Sequence, residues 1–523
     1  MATIVREIER KYDPGAMESD ALDAVKTMIG TAPFAAVSQE PDQLLDAVYY
    51  DTADLRLIRA GITLRRRTGG YDSGWHLKLP AGADTRDEIR LPLAGNGGEP
   101  GAGTASGTVG KRAATPGTGL GSAVPEEFTA LVRARTRGAS LAPVVRIRTG
   151  RQVVHLLDAA RRTLAEIAVD HVSAEPADGS GVTSWDELEA ELVTGGPEQL
   201  QAIDARLRQA GARPAATATK LQRALAGRLP AAPAAHREPL TRDSRAGEVV
   251  LAYIGEQVAA ISRCDPLVRR DEPDAVHQMR VATRRTRSVL EAFGGIIGRD
   301  ATVPLCADLK WLGAALGQAR DTEVLQGRIT ADLAAVTPAL VVGPVQARVT
   351  AYFTEVLARA QRTGLDALNG QRYLRLLDNL DALLADPPLT PLAERRAGKA
   401  LGKPVRRAAR RLRRALAAVP GAEDRDTAIH QARKATKRAR YAAEAAAPAL
   451  GGKAIRQAAR AKELQQLLGD HHDSVVARTV LLEITGQARA AGEDTFTYGL
   501  MYGRQACQAA TYEQSLPRLA AAI

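Results

Sequence analysis

At 523 residues the chain exceeds what one compact core needs, so two or more domains are expected. Aromatic residues make up only 4 %, so the cores must be built from Ala, Leu and Val. The formal charge of +11 lies at one end: residues 247–523 hold 40 Lys+Arg against 29 Asp+Glu, and the remainder is balanced, which directs the second half toward a polyanion.

The first strand is Arg6-Glu7-Ile8-Glu9-Arg10-Lys11. Alternate strand residues share a face, so Glu7, Glu9 and Lys11 point one way. Two carboxylates at that spacing can share a hard divalent cation, and the lysine beside them can take a phosphate oxygen. Later strands repeat the pattern. Leu64-Arg65-Arg66-Arg67 puts Arg65 and Arg67 on one face, and Trp75–Pro80 offers Lys78. Arg86–Leu91 alternates charged with mostly apolar residues, and Val145-Arg146-Ile147-Arg148 does the same. Ala165–Asp170 aligns Glu166 with Asp170, and Glu187, Glu189 and Glu191 align on the last strand. An ordinary half-buried strand carries mixed polar residues on its wet face. Faces of pure cations or pure acids predict the lumen of a closed barrel that holds a metal–phosphate complex, with the apolar faces packed outward on helices such as Pro197–Gln209.

In this order the residues resemble the CYTH family, the triphosphate tunnel metalloenzymes, over about Ala2–Arg228. The resemblance implies a triphosphate phosphohydrolase. Glu7, Glu9 and Lys11 would be catalytic, and Glu7, Glu9, Asp170, Glu189 and Glu191 would hold Mg²⁺ or Mn²⁺. Lys11, Arg65, Arg67, Lys78, Arg146 and Arg148 would clamp phosphate, joined by Lys220 from the last helix. With no base-recognition element near these strands, inorganic triphosphate is the expected substrate.

Residues Ala94–Ala123 are rich in Gly, Ala and Thr and read as a loop inserted between strands. LPAAPAAHREPLT, from Leu229, reads as an Ala/Pro linker, giving expected boundaries of 1–228, 229–243 and 244–523.

Beyond the linker one helical phrase occurs twice, HQMRVATRRTR from His277 and HQARKATKRAR from His430. At about 100° per residue, His277, Arg280, Arg284 and Arg287 fall in one arc, as do His430, Arg433, Lys437 and Arg440. A second echo pairs Lys310 with Lys462, Leu316 with Leu468, Gly317 with Gly469 and Asp321 with Asp473. Internal self-similarity of this kind marks a duplicated multi-helix module. Lys403, Arg406, Arg407, Arg410 and Arg414 form a further basic arc with few aromatics to stack on bases, which argues against sequence-specific nucleic acid.

These repeats resemble the CHAD family, the α-helical domain named for its histidines, from about Ser244 onward. The resemblance implies two pseudo-symmetric helical bundles that bind inorganic polyphosphate. The residues expected to touch it include both stripes, the basic arc, Lys310 and Lys462, and Arg285, Lys434 and Arg438 beside the stripes. The whole is expected to be a multidomain α+β protein, an antiparallel β-barrel tunnel with covering helices followed by an all-α domain. A non-enzymatic receptor for polyphosphate, or a protein targeted to polyphosphate granules, is the alternative.

Cys264, Cys306 and Cys507 are odd in number and scattered, which suits a reducing compartment and argues against a disulfide frame or a zinc site. The charged start MATIVREIERKY is unlike a secretory leader, and no uncharged apolar run reaches the ~18 residues of a membrane span. A cytoplasmic location is expected, with no membrane partner.

Overall fold

The computed structural model describes residues 3–15, 17, 34–82, 84–93, 123–229 and 239–523. Most of the expected Gly-rich loop, and the Ala/Pro stretch at 230–238, lie outside the described residues. The chain divides into two compact units, Met1–Ala235 and His236–Ile523.

The first unit is built on antiparallel strands: β1 (Thr3–Asp13), β2 (Ala36–Gln39), β3 (Gln43–Asp51), β4 (Thr63–Thr68), β5 (Gly74–Pro80), β6 (Thr85–Leu91), β7 (Ala142–Leu157), β8 (Thr163–Pro176), β9 (Thr183–Leu192) and β10 (Arg213–Pro214). Eight close into a ring in the order β1-β6-β5-β4-β3-β7-β8-β9, because β9 pairs back onto β1. Closure removes the free edges that a single open sheet would present. The turn from β4 to β5 requires glycine: Gly69 has φ +82°, and a Cβ there would collide with the Leu44 carbonyl oxygen.

The period-two alternation sorts the strands as expected. Outward residues Leu64, Leu77 and Ile89 pack on Phe128 and Val132 of the helix Glu126–Thr136. On the other side Val154, Ile167 and Leu188 pack on Leu200, Ile203 and Leu207 of the helix Pro197–Gln209. Each buried side chain of this size contributes about 2 kcal/mol, and Ile203→Ala would cost about 2–5 kcal/mol. One end of the barrel interior is apolar. There Leu221 and Leu225, on and just beyond the short helix Lys220–Ala224, join Tyr49, Ile147 and Val172. The Thr219 hydroxyl caps that helix by accepting from the Gln222 N–H at 3.0 Å, which aims Lys220 into the lumen.

The second unit is all helical. Helices Ala246–Arg269, Ala275–Ile297, Arg299–Ala315 with Gly317–Ala334, and Val345–Asn369 make the first repeat. Helices Gly402–Ala417, Arg425–Leu450, Gly452–Ala490 and Phe496–Ala521 make the second, and Gln371–Ala385 lies between. The two repeats clasp each other at their starts. The Ala246 N–H donates to the Arg395 carbonyl at 2.9 Å, and the Ala397 N–H donates to the Ser244 carbonyl at 2.8 Å. The two bonds are related by a shift of 151 residues, which superposes Arg245-Ala246-Gly247 on Arg396-Ala397-Gly398. Further on, Leu325, Ile329 and Val349 share one core with Ala477, Leu481 and Met501, each pair 152 residues apart. The two bundles are therefore pseudo-symmetric. No described helix is long and apolar enough to cross a membrane.

Candidate functional site

The barrel lumen is a cavity of 320 Å³ lined by carboxylates and cations from seven of the ring strands. Two acid groups stand in or directly beside it. The first is Asp170, Glu187 and Glu189, whose oxygens lie within 4.8 Å of one another. Lys220 Nζ sits among them at 2.8, 2.7 and 2.6 Å, and Arg151 reaches Asp170 at 2.7 Å and Glu189 at 2.5 Å. The second group is Glu7, Glu9 and Glu191, with Glu9 directly opposite Glu191 in the β1–β9 register. Lys78 pairs with Glu7 at 2.5 Å, and Arg86 with Glu9 at 2.8 Å. Lys11 pairs with Glu189 and, at 3.4 Å, with Glu9.

These partners decide the protonation states. Burial alone would push Glu9 and Glu189 up, but the Lys11 ammonium and its neighbours outweigh it and hold both carboxyls down. Glu191 has no such partner among the described residues. Burial, with Glu7 and Glu9 adding repulsion, pushes it up to about 8. Burial also lowers Arg67 to about 9, with Arg65 and Arg151 adding to the effect, and Arg65 and Arg67 each keep a buried Nε without a hydrogen bond. His76 is buried against Glu88, its Nδ1 at 3.0 Å, and desolvation lowers it to about 4, so the ring is neutral and structural. The lumen thus holds a carboxyl group, Glu191, with no cation in ion-pairing range among the described residues, beside Arg65 and Arg67, which pair with Glu88 and Asp72 and each keep a spare buried Nε donor. An all-carboxylate donor set is the chemistry that Mg²⁺ and Mn²⁺ take. Asp170, Glu187 and Glu189 bring their oxygens close enough together for one ion, whereas Glu7, Glu9 and Glu191 are neighbours whose first two members are held by Lys78 and Arg86. At Asp170, Glu187 and Glu189 an ion would have to displace the Lys220 ammonium.

In the helical unit the two stripes meet. His277, Arg280 and Arg284 from one repeat, and Arg433 and Lys437 from the other, line a single cavity of 380 Å³ with His472. Asp321 holds Arg280 at 2.8 Å, and a Cβ at Gly317 would come within 3.2 Å of that guanidinium, so the echoed glycine leaves room for it. Among the described residues Arg284, Arg433 and Lys437 have no carboxylate in ion-pairing range, and Arg433 Nε is buried without a partner. Burial, reinforced by Arg433, Arg284 and Arg280, lowers the Lys437 amine to about 6. Desolvation, with Arg433 and His430 adding to it, lowers His472 to about 4, and the His430 and His472 rings lie 4.9 Å apart. Such crowded cations are stable together only at a cost, which an entering polyanion would relieve.

Family models match both units, a CYTH domain over residues 6–224 and a CHAD domain over residues 252–482. The chain is a CYTH–CHAD fusion. It is 39 % identical over 520 residues to "Uncharacterized protein Rv2226" of Mycobacterium tuberculosis (strain ATCC 25618 / H37Rv), covering 96 % of this chain and 93 % of that relative. Among solved structures, PptA from Streptomyces chartreusis matches at 22 % identity and TM-score 0.47, covering 53 % of this chain and 99 % of its own. The CHAD domain from the plant Ricinus communis matches at 27 % identity and TM-score 0.45, covering 56 % and 96 %.

In the CYTH domain Glu7, Glu9, Lys11, Arg65, Arg67, Lys78, Glu189, Glu191 and Lys220 line the lumen, and Asp170 is buried against Lys220 and Arg151. Arg146 and Arg148 do not. They lie on the outer face, where Asp46 holds Arg146 at 2.5 Å and lies 3.9 Å from Arg148. On β7 the inward residues are Ile147, Thr149, Arg151 and Val153, so the parity expected from Arg146-x-Arg148 is reversed. Arg151 supplies the cation instead, opposite Asp170 in the β7–β8 register.

In the CHAD domain the stripes contribute five of their eight residues to the cavity. Arg287 and Arg440 turn instead to Glu291 and Glu444, at 3.7 and 2.7 Å. The same acids take Arg438 and Arg285 from the opposite repeat, at 3.1 and 3.6 Å. The four pairs are related by a shift of 153 residues, and the two that cross, Arg285–Glu444 and Arg438–Glu291, clamp the repeats together. Lys310, Lys434 and Lys462 stand exposed outside the cavity, as do Arg406, Arg410 and Arg414. Lys403 and Arg407 line a different cavity, together with Arg438. His472 and Asp321 are site residues that the repeated phrase does not include, although the second echo marks Asp321.

Proposed function

We propose that the CYTH domain hydrolyses inorganic triphosphate with Mg²⁺ or Mn²⁺ and that the CHAD domain binds inorganic polyphosphate. The observation that supports the first reading is the shared lumen, where Glu7, Glu9 and Glu191 face Arg65, Arg67, Lys78 and Arg151. Glu7, Glu9 and Glu191 would hold the ion, which when bound supplies positive charge beside the phosphate oxygens and a more acidic water. The chain's own side chains do the rest. Lys78 and Arg151 exchange their carboxylate partners for phosphate oxygens. Arg65 and Arg67, with spare donors, brace the same chain, spread the negative charge of the phosphoryl group and fix it in line for water. The second reading rests on the convergence of both stripes on one cavity, where Arg284, Arg433 and Lys437 have no carboxylate partner among the described residues.

Phosphate release from tripolyphosphate, ATP and thiamine triphosphate, with and without Mg²⁺ or Mn²⁺, tests the first. Metal-dependent release fastest with tripolyphosphate is expected. Tight tripolyphosphate binding without release would favour a receptor instead. Titration of long-chain polyphosphate at several salt concentrations tests the second, where a steep fall in affinity with salt is expected.

A further inference from the structure

A second cavity in the helical unit, of 890 Å³, belongs to neither of these sites. One wall carries Lys399, Lys403, Arg407 and Arg411, each four residues from the last along the helical stretch Ala397–Ala417. At about 1.5 Å per residue this row extends roughly 18 Å. The floor is apolar, built from Ala292, Ile296, Leu392, Pro404 and Ala408, and Leu392 stands 41 % exposed. The one acid among the described lining residues, Glu291, is already held by Arg438 at 3.1 Å.

The row is not a requirement of the fold. The shift of 151 residues that superposes the repeats places Glu248, Ala252, Glu256 and Ala260 at the equivalent positions of the first repeat. There the same helix packs its buried face with no cation row. The second copy alone has acquired four cations where the first has two acids.

We propose that this cavity binds an organic oligophosphate, a nucleoside triphosphate in class, with its phosphates along the cation row and its base on the apolar floor. Two features select that chemistry. A purely inorganic polyanion would lose water against Ala292, Ile296 and Leu392 and gain nothing there. An organic body gains about 25 cal/mol for each Å² of apolar surface it buries, and arginine planes can stack on a base. A single phosphodiester headgroup would engage one or two of the cations, whereas a row of four matches several phosphates in series.

The test is calorimetric titration of the full chain with ATP and with tripolyphosphate, in EDTA so that the barrel does not turn over. Arg151→Ala weakens the barrel's hold on phosphate, so a site that this substitution leaves unmoved lies outside the barrel and does not depend on the barrel reading. ATP is expected to show a site that survives Arg151→Ala and weakens at least tenfold in Lys403→Ala/Arg407→Ala, whose side chains are exposed and leave the core intact. Ala292→Trp fills the floor and keeps every cation. It is expected to weaken ATP at least tenfold and to leave tripolyphosphate unchanged. Equal affinity for ATP and tripolyphosphate, with neither altered by Ala292→Trp, would overturn the proposal in favour of a plain anion surface. ATP binding unchanged in Lys403→Ala/Arg407→Ala would overturn the location. Cosedimentation with phosphatidylglycerol vesicles, lost in the double variant, with no ATP binding at all, would replace the nucleotide by a membrane surface.

Discussion

Lys437→Met is the most informative single substitution in the CHAD domain. The side chain stays unbranched and is one atom shorter, and it loses a charge that burial among arginines disfavours. Its amine falls from the ordinary 10.5 to about 6 because of burial and three neighbouring arginines. The unfolded chain binds that proton below about 10.5 and the folded chain only below about 6, so between those values stability rises with pH. At pH 7 the displacement is worth at most about 5 kcal/mol, and water entry with side-chain relaxation should leave about 1–2 kcal/mol. Met in place of Lys should therefore stabilise the ligand-free domain and raise Tm by roughly 2–8 °C at pH 7. A polyanion has the opposite requirement, since it holds the amine charged. Wild-type binding at pH 7–8 should draw in a proton, seen as a heat that varies with the buffer's ionisation enthalpy, and affinity should climb as pH falls from about 8 to about 6. The variant should bind more weakly, with a flatter profile and a smaller proton uptake. A Lys437→Met protein with unchanged Tm, unchanged affinity and the same pH profile would refute the cavity as the polyphosphate site.

In the barrel, Arg151→Ala should lower triphosphate hydrolysis by about 10²-fold or more, on the scale of removing a charged transition-state donor, whereas Arg146→Ala/Arg148→Ala should leave it within about twofold. Initial rates of phosphate release decide between the two parities. Glu191→Gln should reduce metal-dependent hydrolysis by orders of magnitude. It should also remove a component of metal-free stability that declines as pH rises from about 4.5 to 8, because the folded carboxyl holds its proton up to about 8. Thermal melts with EDTA across that range check the sign. Glu9→Gln, by contrast, breaks the Arg86 pair at 2.8 Å and should lose both activity and some stability. Arg280→Ala/Arg284→Ala should weaken polyphosphate binding and flatten its salt dependence, the slope changing by about 0.7–0.9 for each phosphate no longer neutralised.

The acid strands were legible because Glu7-x-Glu9 and Glu187-x-Glu189-x-Glu191 obey a period of two, and closure makes every such face a lumen face. The parity of β7 was not. A period of two says which residues share a face but not which face is inside. The plugged end of the barrel inverts the usual cue: around Leu221 and Leu225 the interior is apolar, so inward Ile147 resembles an outward residue and outward Arg146 a lining one. Only the pairing of Arg151 with Asp170, fixed by register across two strands, resolves it. In the helical half the repeated phrase located the cavity. It could not show that Arg287 and Arg440 answer to Glu291 and Glu444 one turn later, although that i,i+4 relation stood in the sequence. The basic arc on Gly402–Ala417 was centred too far round. Val405, Ala409, Leu412 and Leu416 take the core side, which leaves the cations on both flanks, with Lys403, Arg407 and Arg411 beside a cavity.

The twofold relation between the stripes bears on what kind of thread can lie between them. A nucleic-acid strand has a 5′ and a 3′ direction, so two equivalent half-sites on one strand would meet it once forward and once reversed. Inorganic polyphosphate reads the same from either end. A cavity that receives Arg280 and Arg284 from one repeat and their mates Arg433 and Lys437 from the other offers cations of the same kind to such a thread whichever way it enters.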